Sequence, residues 1–205
     1  MADIVTLYPQ SPSFNAVSFR VNTPSITTET YSGKLRRTGY GNSFYTWQVK
    51  YPTLTPGQAG IVTGYLAQTL GPAFSFEIIL PELSYSKSPN QPSTTPYLST
   101  AASKGDKVVY LDNCGNSKII LAGDFIKFAN HSKVYMVVAD QSDISTGTLT
   151  IEPPLTTAVS SSDIQYDDVP FTVYLTNDIQ EFGVVGAGQD GTLLYQFEFD
   201  VEEAL

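Results

Sequence analysis

Strict two-residue alternation of large apolar and polar side chains, repeated in three separate stretches, constrains this chain more than any other feature. In residues 44–51, Tyr45, Trp47, Val49 and Tyr51 fall on one side and Thr46, Gln48 and Lys50 on the other. In 74–80 the set Phe74, Phe76, Ile78 and Leu80 points one way, and Pro81 ends the run. Toward the C-terminus Leu193, Tyr195, Phe197, Phe199 and Val201 alternate with Gln196, Glu198 and Asp200. Successive side chains of an extended chain point to opposite faces, so each stretch reads as a strand buried on one face. A slip of one residue would turn a whole apolar set to water, which makes the register firmly specified.

One segment breaks this pattern. Thr55 suits a helix N-cap, Pro56 suits the first helical position, where its missing N–H costs nothing, and Gly71 followed by Pro72 closes the segment. Ile61, Val62, Tyr65, Leu66 and Leu70 recur at helical spacing and predict a helix over 55–70 whose apolar stripe lies on a sheet. Burial of each such side chain contributes about 1.5–3 kcal/mol, which outweighs about 1 kcal/mol for each of the internal Gly60 and Gly64. Residues 84–96, rich in Ser, Pro, Thr and Asn, read as a loop. Short strands follow at 107–111, 124–128, 133–138 and 148–151, with a hairpin turn at 129–132, and their density suggests a small closed barrel. The expected fold is mostly β (α+β). An N-terminal β-sandwich or split barrel with one flanking α-helix occupies residues 1–83, and a linker loop occupies 84–98. A small inserted β-barrel fills 99–169, and C-terminal strands over 170–205 complete the first domain.

Composition narrows the chemistry. At 205 residues the chain can bury a core without staples, and Cys114, its one cysteine, leaves no intrachain disulfide to form. A small buried hydrophobe is the plainest role for that thiol. No stretch approaches the ~20 consecutive apolar residues of a membrane helix, and residues 1–4 lack the positive-then-apolar order of a signal peptide. The expectation is a protein without membrane partner or secretory address. The formal charge of −9 is unevenly spread: residues 134–205 hold 13 acids and no Lys or Arg, whereas 1–133 hold 7 acids and 11 bases. Such a C-terminal third repels phosphate and argues against nucleic-acid binding.

His131 is the single imidazole and sits in an expected surface turn, so Ser-His-Asp and Cys-His mechanisms lack their proton shuttle. One His and one Cys do not furnish a zinc site. The pairs Asp140/Asp143 and Asp167/Asp168 do not match an oxygen-ligand loop, and neither metal nor cofactor is expected. Residues 186–191, Gly-Ala-Gly-Gln-Asp-Gly, satisfy the glycine spacing of a dinucleotide fingerprint. They lead into a strand, however, and not into the helix whose N-terminus would hold the pyrophosphate, so they read as a flexible hairpin loop. Asn130-His131-Ser132 fits a glycosylation triplet but has no secretory context. Tyr40, Tyr45, Trp47 and Tyr51 would make a sugar-stacking platform were three of them not on a buried face. The expectation is that the chain is not an enzyme.

Several stretches resemble structural proteins of tailed bacteriophages, in particular small tail and baseplate components of the distal-tail or tail-adaptor kind. Phe19-Arg20, Asn22-Thr23-Pro24 and Ser32-Gly33-Lys34 look like the group's opening, and residues 45–55, Tyr-Thr-Trp-Gln-Val-Lys-Tyr-Pro-Thr-Leu-Thr, look like its strand into helix. Residues 70–76 are similar to its exit from the helix. Ala122-Gly123-Asp124-Phe125-Ile126-Lys127-Phe128, running on through 133–137 to Glu152-Pro153-Pro154-Leu155, is similar to its inserted barrel, and 199–205 fits its ending. The resemblance implies a virion tail protein made in the host cytoplasm. It further implies a homo-oligomer, a hexameric ring, with other tail or baseplate proteins as partners. Two expectations about sites accompany it. Asp178, Glu181 and Asp190 are expected to face a channel through which DNA passes. Gly183, Val184, Val185, Gly186, Ala187 and Gly188 are expected to form a subunit-contact loop that orders only against a neighbour. The rival readings are a carbohydrate-binding module or receptor-binding accessory protein of a phage tail, and a glycan hydrolase with a carboxylate pair, although nothing in the sequence selects the pair.

Overall fold

The computed structural model describes residues 6–39, 43–90, 95–115, 118–142, 146–160 and 163–204. Its elements run in the order β1 (Ala16–Asn22), β2 (Ser25–Glu29), β3 (Leu35–Gly39), β4 (Phe44–Lys50), α1 (Pro56–Thr69), β5 (Phe76–Ile78), β6 (Tyr97–Leu98) and β7 (Val108–Asp112). They continue with β8 (Phe125–Phe128), β9 (Val134–Val137), β10 (Gly147–Glu152), β11 (Ile164–Gln165), β12 (Phe171–Leu175), β13 (Phe182–Ala187) and β14 (Leu193–Glu203). With 42% strand against 9% helix the chain is mostly β, as the alternation predicts.

Two compact units divide the chain. One gathers Met1–Arg20, Tyr45–Glu82 and Pro170–Leu205, and the other gathers Val21–Phe44 and Leu83–Val169. The hairpin region before β4 therefore groups with the second unit, and the segment after Glu82 belongs to that unit too.

The first unit is built on a sheet of order β1-β4-β14-β12-β5, with β13 paired to β14 off this path. Antiparallel register sets Val49 opposite Phe199 and Trp47 opposite Val201. Tyr45, Trp47, Val49 and Tyr51 are all buried, and Trp47 meets the Phe171 ring edge-on at 4.8 Å. Burying two tyrosine hydroxyls demands partners; those of Tyr8 and Tyr51 supply one another at 2.8 Å. Burial also lifts both phenols well above the ordinary tyrosine range.

Helix α1 begins as its sequence dictates. Pro56 takes the first position, and the Gln58 carboxamide oxygen accepts the Thr55 N–H at 3.0 Å, closing a capping box. Its buried face is Ala59, Val62, Leu66 and Thr69, which corrects the expected stripe: Ile61 and Leu70 are 52% and 67% exposed. The reason for Leu70 is that it already lies past the helix, in the left-handed conformation at φ 49°. Tyr65 leans on Tyr8 at 4.8 Å and on Phe76 at 5.7 Å, joining the helix to the aromatic core.

Strand β14 keeps the expected alternation only in part. Phe197, Phe199 and Val201 are buried, but Leu193 is exposed and Tyr195 only partly covered. Residues 193–197 pair with β13, whereas the strand from Glu198 onward pairs with β4 and β12.

In the second unit, β11-β8-β9-β10-β7-β6 make one six-stranded sheet, and a bridge between Tyr97 and Asp163 brings its two ends together. Val109, Leu111, Ile126, Phe128, Tyr135, Val137, Leu149 and Ile151 fill the barrel-like interior, with Cys114 fully buried beside them. Burial and the nearby Asp112 push that thiol up to about 11. The expected loop after Ser84 carries no helix or strand through Asn90, and it is strapped down. The Ser86 hydroxyl donates to the Ile119 carbonyl at 3.0 Å, Ser88 donates to the Lys118 carbonyl at 2.9 Å, and the Lys87 amide donates to Asp124 at 2.9 Å. Strands β2 and β3 form a separate two-stranded ribbon, every residue of which is exposed.

Candidate functional site

Each expected site residue takes a definite place. Residues 183–187 are strand in their own chain: Gly183 lies opposite Gln196, Val184 opposite Tyr195 and Ala187 opposite Leu193, with a register shift between Val184 and Gly186. This differs from the loop expected to order only against a neighbour. The partner of this segment is β14, whose residues 193–197 lie opposite it. The Gly188 amide donates to the Thr192 carbonyl at 2.7 Å, and the Asp190 carboxylate accepts the Thr192 amide at 3.0 Å. Hydrogen bonding from the Thr192 side chain, and then from its amide, holds the Asp190 carboxyl below the usual carboxylate range. Gly191, at φ +78°, supplies the left-handed turn that a side chain resists.

Pairing within the chain leaves β13 otherwise uncovered. Val184 and Val185 are 55% and 51% exposed, and a Cβ placed on Gly183 or Gly186 would meet nothing.

Below this strand lies a groove of about 490 Å³ whose lining includes Ile179, Gln180, Glu181, Val185, Gln196, Glu198 and Asp200. Its floor follows from alternation: the period that sends Phe197, Phe199 and Val201 into the core sends Gln196, Glu198 and Asp200 outward. Glu198 is paired to Lys50 on β4 at 2.8 Å, whereas Glu181 and Asp200 have no ion-pair partner among the described residues. Asp200 also borders a second cleft of about 300 Å³ with Arg20, Thr46, Gln48 and Thr176. Farther along the same strand, Tyr174 donates a short hydrogen bond to Glu202, and burial together with that carboxylate pushes the phenol up to about 12.

Of the three acids expected to line a channel, Glu181 enters the groove wall, Asp190 ties the β13–β14 turn, and Asp178 is exposed beside Gly71. The structure brings Glu181 together with Glu198 and Asp200, two acids that alternation marks only as the polar half of a strand. No group of three or more His, Cys, Asp or Glu side chains converges as a metal site among the described residues.

His131 is not the free surface residue expected. Its Nε2 lies 2.8 Å from the Tyr135 hydroxyl and its Nδ1 2.6 Å from Asn130 Oδ1, and its ring stacks on Phe128. Burial and the neighbouring Lys127 lower its pKa. Tyr40 and Asp143 lie outside the described residues. No protein-family model and no curated protein sequence matches this chain.

Proposed function

We propose that this chain is a structural protomer of a bacteriophage tail or baseplate, closing with copies of itself into a ring that joins the tail tube to more distal parts. The observation that carries the reading is the β2–β3 ribbon, exposed along both strands and including Ile26 and Leu35 at 46% and 61%. A two-stranded ribbon with no covered face is marginal in water. It gains stability by lying on another surface, and a ring of identical subunits offers one at every step. The exposed β13, with Val184, Val185 and the flanking Gly183, Gly186, Ala187 and Gly188, is a second open contact strip. Likeness to distal-tail proteins in 45–55, 70–76 and 122–137 supports the same role and gives the number six. In that ring Asp178 and Asp190, both exposed, are the acids assigned to the lumen, where negative charge lets DNA pass without sticking.

Light scattering after gel filtration, combined with negative-stain microscopy, tests the reading. Rings of about six subunits are the expected result, as implied by the family resemblance and by closed symmetry. A monomer at every concentration, also in the presence of tail-tube and baseplate components, would remove it.

A second reading, a glycan-binding accessory of the tail, has one observation in its favour. Tyr110 is 53% exposed on β7 directly opposite Thr148 of β10, an aromatic face beside hydroxyls. Binding on a glycan array that disappears in Tyr110→Ala would favour it over the ring.

A further inference from the structure

Two surfaces of this molecule carry charges of opposite sign that have no ion-pair partner among the described residues. On the ribbon, Lys34, Arg36 and Arg37 stand against the single acid Glu29, and none of the three cations has an ion-pair partner among the described residues. Register alternates the arginines: Arg36 shares a face with Thr28 and Ile26, and Arg37 shares the other with Thr27, beside Leu35 and Glu29. Each face of the ribbon therefore presents one guanidinium next to one exposed aliphatic side chain. The groove beneath β13 presents the complement, with unpaired Glu181 and Asp200 along a wall that includes Ile179, 83% exposed, and Val185. A two-sided arm with mixed cationic and aliphatic character matches an open acidic groove with aliphatic walls.

We infer that the β2–β3 ribbon of one copy seats in the β13–β14 groove of the next, with Arg36 or Arg37 answering Glu181 and Asp200. The occupant is a second copy of this chain. Arm and groove are different surfaces of one sequence, so the contact is heterologous, repeats from subunit to subunit, and closes when the rotation allows. Arginine forms the planar two-bond pair that a carboxylate accepts, and a pair shielded by the seated ribbon is screened less than an exposed one. This inference rests on the ring reading and adds to it the surfaces that meet.

Charge reversal tests it in the full chain. Arg36→Glu/Arg37→Glu and, separately, Glu181→Arg/Asp200→Arg should each shift the assembly toward monomer by sedimentation velocity, with unchanged circular dichroism, since Arg36, Arg37 and Glu181 are exposed and Asp200 is half-buried at the groove edge. In a one-to-one mixture each variant's arm matches the other's groove, so assembly should return with the two variants alternating. The chain carrying all four reversals should reassemble. Variants that assemble like the parent protein would overturn the arm-in-groove contact and leave the ring reading standing. Loss of assembly that the fourfold variant does not restore would also overturn it. A parent chain that is monomeric throughout would overturn both.

Discussion

Asp124 ties separate stretches of backbone together in the second unit. It is fully buried and accepts from the Leu121 amide at 2.8 Å and the Lys87 amide at 2.9 Å, with the Ser86 hydroxyl at 3.3 Å and the Lys87 ammonium at 3.4 Å. Its removal strands two backbone donors, each costing about 1–3 kcal/mol. Asp124→Ala should therefore lower the urea midpoint sharply, whereas Lys87→Ala, which removes an ammonium about half exposed to water, should cost no more than about 1 kcal/mol. His131 gives a pH-dependent counterpart. Its folded pKa lies below the ordinary value because burial, then Lys127, disfavour the imidazolium. The unfolded chain thus binds more protons just below the ordinary pKa of about 6.5. Stability should fall as the pH drops through that value and level off below the folded pKa. An NMR titration should place the His131 midpoint below that of a free histidine, and His131→Gln should flatten this part of the stability profile.

At the scale of elements, helix α1 shows how far local signals reach. Thr55, Pro56 and Gln58 fix its start, since capping and the proline position act within one turn. Its buried stripe was less legible: spacing alone admits Ile61 as readily as Ala59, and the aromatic cluster of Tyr8, Tyr65 and Phe76 decides which side faces inward. The left-handed residue after the helix is Leu70, where a side chain is penalised by about 1–2 kcal/mol. Being 67% exposed, it forfeits little burial when replaced. Leu70→Gly should raise stability by about 0.5–1 kcal/mol after the extra chain entropy of glycine is counted. A lower melting temperature for that variant would show that the leucine has a role in packing. The same distinction runs through β14. The pattern marks 193–201 as one strand, but residues 193–197 pair with β13 with only Phe197 among them buried, and no period of two reports where a partner strand ends.

For the whole molecule, the separation of charge along the sequence becomes a separation of surfaces. The ribbon carries bases that find no ion-pair partner among the described residues, and the β13–β14 groove carries acids in the same condition. Assembly through such surfaces weakens as ions screen them, the Debye length shrinking from about 10 Å at 0.1 M salt to about 3 Å at 1 M. Sedimentation across that range should show the oligomer giving way to smaller species as salt rises. Growth of the oligomer with salt would point instead to apolar contacts, such as those of Val184 and Val185, as the main source of adhesion between subunits.

Period-two patterning, capping residues and turn chemistry act over a few residues. For that reason the sequence by itself determined the β class, helix α1, most strand positions and the core faces of Tyr45, Trp47, Val49, Phe197 and Phe199. Tertiary structure alone decided which strands are neighbours, that 183–187 pairs within its own chain, that the segment after Ser84 is tied to Asp124, and that Glu181 meets Glu198 and Asp200 in one groove. Those facts depend on contacts between residues far apart in sequence, whose free energy comes from the burial and hydrogen bonding of both partners together. A pattern read along one strand carries no record of the other.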